Sequence, residues 1–207
     1  GAKVSVLRVK GSGWDMASIE PEGLPAVRLS PLRELRQLDE LRDEDMVNFE
    51  RINLLDSGAP TPSIETLTHA FLPHRFINHT HSSAVLSLTN QPNGEELCHE
   101  VFGHRMGIVP YIKPGFDLAN KAADVFESRL EVDGLLLLKH GIFTFGETAL
   151  ESYERMIAAV SLVEERLQKG RRSVFAPAPL PAHKLTVAEI SPIVKGACSL
   201  KDESWLD

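Results

Sequence analysis

The chain has 207 residues, 43% hydrophobic and 25% charged, the mix of an ordinary globular domain long enough to bury a core. Its formal net charge of −7 and pI near 5.6 argue against nucleic acid or an anionic membrane as the main partner. No run approaches the ~18 apolar residues of a membrane span, nothing signal-like opens the sequence, and the distant Cys98 and Cys198 make no metal or redox motif, so a cytoplasmic setting with reduced thiols is expected.

Residues 4–10 (VSVLRVK) alternate as a half-buried strand that GSGW breaks. Residues 17–30 are loop-rich around Pro21, Gly23 and Pro25. Leucines at 32, 35, 38 and 41 share a helix face, with Ser30 as cap and Pro31 in the first turn. GAPTP (58–62) is a turn, and Ser63 is placed to cap a helix beginning IETLTHAFL. An extended segment carries His79 and His81, and the apolar residues 84–88 read as a buried strand after it. A QPNG turn (91–94) leads to a helix over 95–102, then to a short strand at 107–111 ending in KPG. Residues 117–130 form an amphipathic helix, GLLLLK (134–139) and IFTF (142–145) a strand and its return, and 146–169 a long helix. From 171 the proline-rich FAPAPLPAHKL and a charged tail read as a linker or surface arm. One domain over 1–170 and an arm over 171–207 are therefore expected. The alternation of helices and strands predicts a layered α/β domain with a mixed sheet.

In His79-x-His81 both side chains point to one face of an extended segment, because strand side chains alternate with period two. Two imidazoles so placed suit a divalent ion, zinc above all, although ordinary histidines share the pattern. His140 follows four leucines and precedes a glycine, where a strand-end ligand and a core-edge histidine look alike. Glu65 lies in a first helical turn, either complementing the macrodipole or serving as a base or metal contact. His69, His74, His99 and His104 read as solvated or helix-packed, with His69 and His74 near enough in sequence to support the site.

Taken in order, PSIET, NHTH and LLKHGIFTFG resemble the class II aldolase/adducin family, and VKGSGWDM, SLTNQPNGEE, VPYIKPGF and ALESYERM are similar to the aldolase half of its bifunctional rhamnulose-phosphate aldolase/dehydrogenase members. The resemblance covers roughly residues 4–170. It implies a three-layer α/β/α sandwich around a mixed, mostly antiparallel sheet. It implies zinc, or another divalent transition metal, on His79, His81 and His140, with Glu65 as general acid/base. It matches Ser12, Gly13 and Ser63 to substrate-phosphate loops, and Tyr111 to a tyrosine that reaches a neighbouring subunit's aldehyde oxygen. On the residues alone, KGSG remains a turn and Tyr111 an aromatic that fills a contact.

The implied reaction is cleavage of a ketose 1-phosphate, rhamnulose- or fuculose-phosphate-like, to dihydroxyacetone phosphate and a small aldehyde through a metal-stabilised enediolate. An epimerase or decarboxylase of the same family, or a non-enzymic adducin-like module, are the alternatives. Glutamate at position 65 favours the aldolase branch, since epimerases usually carry aspartate there. The implied partners are a small phosphorylated sugar and other copies of the chain, a tetramer by family habit. Neither nucleic acid nor membrane is expected. The family's glycine- and asparagine-rich phosphate loop has no counterpart in these residues, and no G-x-G-x-x-G of a dehydrogenase half follows a strand.

Overall fold

The computed structural model describes residues 3–169 and 186–198. Two short strands come first, β1 (Val6–Arg8) and β2 (Ala26–Arg28), paired antiparallel. The alternation at the start of the chain predicts β1. The second strand hides in the loop-rich stretch, preceded by two 3-10 turns: Met16–Ser18, where the Asp15 carboxylate accepts from Ala17 N–H, and Pro21–Gly23, which opens on its proline.

The leucine-periodic segment is not one helix. α1 (Leu29–Glu34) tightens into a 3-10 turn (Leu35–Gln37), the chain extends at Leu38, and α2 (Asp43–Ile52) starts afresh. Leu32 and Leu35 are buried while Leu38 is exposed, so the helix stops where its apolar face loses its partner. Ser30 lies inside α1, and Arg28 occupies the cap position expected for Ser30.

α3 (Thr66–Phe71) leads to β3 (Phe76–Thr80), and β3 to α4 (Ser83–Thr89). This corrects the strand expected at 84–88. Val85, Leu88 and Thr89 are the buried residues there, a helical i, i+3, i+4 stripe that a five-residue apolar run does not distinguish from a strand. The histidine pair therefore ends a strand instead of preceding one. The remaining elements follow expectation: α5 (Gly94–Phe102), β4 (Met106–Val109), α6 (Phe116–Ser128), β5 (Gly134–Leu137), β6 (Gly141–Gly146) and α7 (Ala149–Gln168).

The central sheet has the order β3-β6-β5-β4. β6 runs antiparallel to both its neighbours, and β4 is parallel to β5, a mixed and mostly antiparallel sheet. β3, β4 and β5 consequently share one carboxyl edge. β5 and β6 are buried along their whole lengths, as strands covered on both faces must be. Leu135, Leu137, Phe143 and Phe145 pack with Leu118, Ala122 and Phe126 of α6 on one face. Leu136 and Ile142 pack with Val85, Phe102, Met156 and Val163 of α4, α5 and α7 on the other. Period two thus sorts adjacent apolar residues between two helical layers, giving the α/β/α sandwich. A third cluster joins β2, α1, α2 and α3 through Val27, Leu32, Met46 and Leu67.

The chain divides into two units, Gly1–Gly170 and Arg171–Asp207. In the second, α8 (Val187–Cys198) forms where an unpatterned tail is expected. Val187, Ile190 and Val194 recur there at helical spacing, and the internal Pro192 masks the pattern. The proline-rich stretch from 171 to 185 lies outside the described residues.

Candidate metal centre

The C-terminal end of β3, the β5–β6 turn and the start of α3 meet at the carboxyl edge of the sheet. On β3, His79 sits opposite Phe143 of β6. Its Nδ1–H donates to the Ile142 carbonyl at 3.0 Å, because a carbonyl only accepts. That bond leaves Nε2 with a bare lone pair. Nε2 lies 3.0 Å from His81 Nε2 and 3.0 Å from Glu65 Oε1. His140 Nε2 comes within 2.7 Å of the same oxygen. The lone positive φ of a non-glycine among the described residues, 60° at Lys139, turns the chain between β5 and β6 just before His140.

Glu65 stands at the cap position of α3, yet its carboxylate makes no cap hydrogen bond. It is directed at the histidines, so complementing the helix dipole does not explain it. One donor atom from each of Glu65, His79, His81 and His140 lies within 4.8 Å of the others. Glu65 Oε1 is buried and accepts no well-directed hydrogen bond. Lone pairs converging on a nearly dry point repel one another unless a proton or a metal cation sits among them, and three imidazoles with one carboxylate are a donor set that zinc and its neighbours favour. The side chains of His140, His79 and Glu65 are only 7%, 9% and 14% exposed, so the centre opens to solvent through the exposed His81.

Burial works to raise the Glu65 carboxyl, but the His140 and His79 imidazoles overcome it and hold the group well below the usual carboxylate range. Burial, reinforced by the His79 and His140 rings, lowers His81. His69, next to this group, is pushed down to about 4, chiefly by burial. It packs against Phe143 with ring centroids 5.3 Å apart. His74 stacks on Phe145, whereas His99 and His104 are exposed.

The two small-residue loops lie side by side. Ser12 N–H donates to Thr61 O (2.8 Å), Ser63 N–H donates to Lys10 O (3.2 Å), and Gly11 bridges Pro62. The second loop runs straight into Glu65, whose N–H donates to the Ser63 hydroxyl at 3.3 Å. Gly13 has φ 83°, a conformation that suits glycine. Tyr111 lies past the end of β4 and is 59% exposed. Nearby Lys113 pairs with Asp43 at 3.0 Å, tying the segment to α2. Among the described contacts nothing joins Tyr111 to the histidine cluster within the chain.

Sequence reasoning passes over Gly141, noted only as the residue after His140. A Cβ there would lie 2.6 Å from the Thr80 carbonyl, 2.9 Å from His81 Cδ2 and 3.1 Å from His79 Cε1. Glycine is what lets the histidine-bearing end of β3 close on the turn, and only the β3–β6 register reveals it. Gly141→Ala is expected to cost ~1–3 kcal/mol of stability through overpacking and to weaken metal binding ~10-fold or more by displacing both rings. Zinc titration beside thermal unfolding checks this, and unchanged affinity would remove the steric role.

Residues 2–167 match the family model described as "Class II Aldolase and Adducin N-terminal domain". The chain is 34% identical over 206 residues to the "Uncharacterized oxidoreductase YuxG" of Bacillus subtilis (strain 168), covering 96% of this chain but only 30% of that protein's length. Among solved structures, the N-terminal class II aldolase domain of a conserved protein from Thermoplasma acidophilum shares 37% identity at a TM-score of 0.75, over 80% of this chain and 76% of that one. A sugar-phosphate aldolase from Thermotoga maritima, 20% identical with a TM-score of 0.55 over 81% and 73% of the two chains, shares the fold. With the sandwich, its carboxyl-edge histidines and the family match all in agreement, this chain belongs to the class II aldolase/adducin family.

Proposed function

We propose that the chain is a metal-dependent aldolase, an aldehyde-lyase that cleaves a ketose 1-phosphate of rhamnulose- or fuculose-phosphate type to dihydroxyacetone phosphate and a small aldehyde. The convergence of three imidazole nitrogens and a carboxylate oxygen within 4.8 Å carries the reading. His79, His81 and His140 would hold a divalent ion, zinc by preference. When bound, such an ion supplies Lewis-acid polarisation of a substrate carbonyl. Glu65 handles the proton on the carbon beside that carbonyl, removing it in condensation and returning it in cleavage. The N–H groups of Ser12 and Ser63 are spent on the paired loops, so a phosphate beside Gly13 would be met by their hydroxyls, that of Ser63 donating its O–H while it accepts from Glu65 N–H.

Tyr111, exposed at the same carboxyl edge, would handle the aldehyde oxygen in a neighbouring copy's site, and the reading therefore includes a homo-oligomer, a tetramer by family habit. Unmodified sugar phosphates do not cross membranes unaided, which suits a cytoplasmic setting, and among the described residues no helix is long and apolar enough to span a membrane. A dehydrogenase partner domain fits a relative more than three times as long as this chain. The test is incubation of the purified chain and zinc with a panel of ketose 1-phosphates. Release of dihydroxyacetone phosphate, lost with chelator and restored by metal, is expected. Inversion at C4 without cleavage would instead establish the epimerase, and inertness toward every sugar phosphate with metal bound would leave the non-enzymic module.

A further inference from the structure

β6 holds His79 in two ways. In the plane of the ring, Nδ1–H donates to the Ile142 carbonyl at 3.0 Å. Across that plane, the imidazole lies on the Phe143 ring, with centroids 4.0 Å apart and planes 16° from parallel. The hydrogen bond fixes the direction of one nitrogen but leaves the ring free to tilt about it, and the stack removes that freedom. The contact follows from register, since His79 and Phe143 are directly paired across β3 and β6. Phe143 cannot swing away. It is fully buried, His69 packs on it from α3, and Leu135 is its partner on β5. His81 and His140 have no such plate among the described residues. They meet each other and His79 edge-on, at 4.9 to 5.3 Å and 72° to 88°.

We propose that Phe143 is a positioning residue of the metal centre, fixing the plane of His79 and hence the direction of its Nε2 lone pair. This rests on the metal reading above and adds to it an aromatic support that touches neither ion nor substrate. Groups that orient a metal-bound histidine from behind typically change affinity ~10–100-fold when removed. Phe145 supplies the control. It lies two residues along the same strand, is equally buried, and stacks on His74 at 4.3 Å and 8°, away from any proposed ligand.

The experiment is a cobalt(II) titration of the wild-type, Phe143→Leu and Phe145→Leu chains, followed by visible absorption. One equivalent in the wild type, unchanged bands and near-equal affinity in Phe145→Leu, and ~10-fold weaker binding with displaced bands in Phe143→Leu are expected. Equal affinity and identical bands in Phe143→Leu would overturn the role. So would equal losses in both leucine variants, which would show only a loosened core. A wild type that takes no cobalt would defeat the metal reading itself, and the Phe143 role with it. Should Phe143→Leu not fold, Phe143→Met replaces it in the same titration, with the same outcomes deciding.

Discussion

Glu65→Gln is expected to lower aldol cleavage by ~10²–10⁴-fold, the usual worth of a positioned general acid or base, while one equivalent of metal stays on the protein. The two effects separate because Glu65 and the imidazoles come from different elements. His79 and His81 are fixed by β3 and its pairing to β6, and His140 by the turn after β5. Glu65 enters from the start of α3, and no cap hydrogen bond depends on its side chain. Glutamine fills the same space but cannot carry the proton. If Glu65 merely complemented the helix dipole, its neutralisation would cost ~0.3–1 kcal/mol of stability and leave turnover intact. Metal content by mass spectrometry and kcat on a cleaved ketose 1-phosphate decide the matter. Full turnover in the glutamine variant would sink the acid/base role, whereas loss of the metal along with activity would recast Glu65 as an indispensable ligand.

Parts of this centre can be read from sequence and parts cannot, for definite physical reasons. Alternation along an extended segment puts His79 and His81 on one side whatever the tertiary fold. Four consecutive leucines announce a strand buried on both faces, which places His140 at its end. Glu65 is different. Nothing in its local pattern separates a dipole-complementing acid from a carboxylate aimed at histidines, and family resemblance has to supply the distinction. Gly141 and Phe143 owe their roles to which residue lies opposite which across β3 and β6, information that periodicity lacks. The error at 84–88 has the same origin as the break near Leu38. In a short apolar run, or at the end of a longer one, burial by neighbours decides between strand, helix and loop, and those neighbours are distant in sequence.

Glu50→Met is expected to stabilise the protein and to flatten its pH dependence, because Glu50 is an acid with no compensating partner. It lies on α2, completely buried, and neither carboxylate oxygen has a hydrogen bond. Burial alone pushes its carboxyl up to about 8 from an ordinary 4.5. Below pH ~4.5 the folded and unfolded states both carry the proton, and the group adds no pH dependence. Between there and about 8 the unfolded chain ionises while the folded chain does not, so stability falls as pH rises. A shift of this size corresponds to a loss of ~3–5 kcal/mol, large against the few kcal/mol that hold a typical domain together. Methionine is close in volume, and α2 already buries Met46, so the exchange removes a desolvated polar group without opening a cavity. Urea unfolding of both proteins at pH 5.5 and pH 8.5 tests this. The wild type should weaken markedly at the higher pH and the variant much less. Parallel losses would mean that Glu50 ionises freely in the folded protein, which requires water or a cation to reach it within the core.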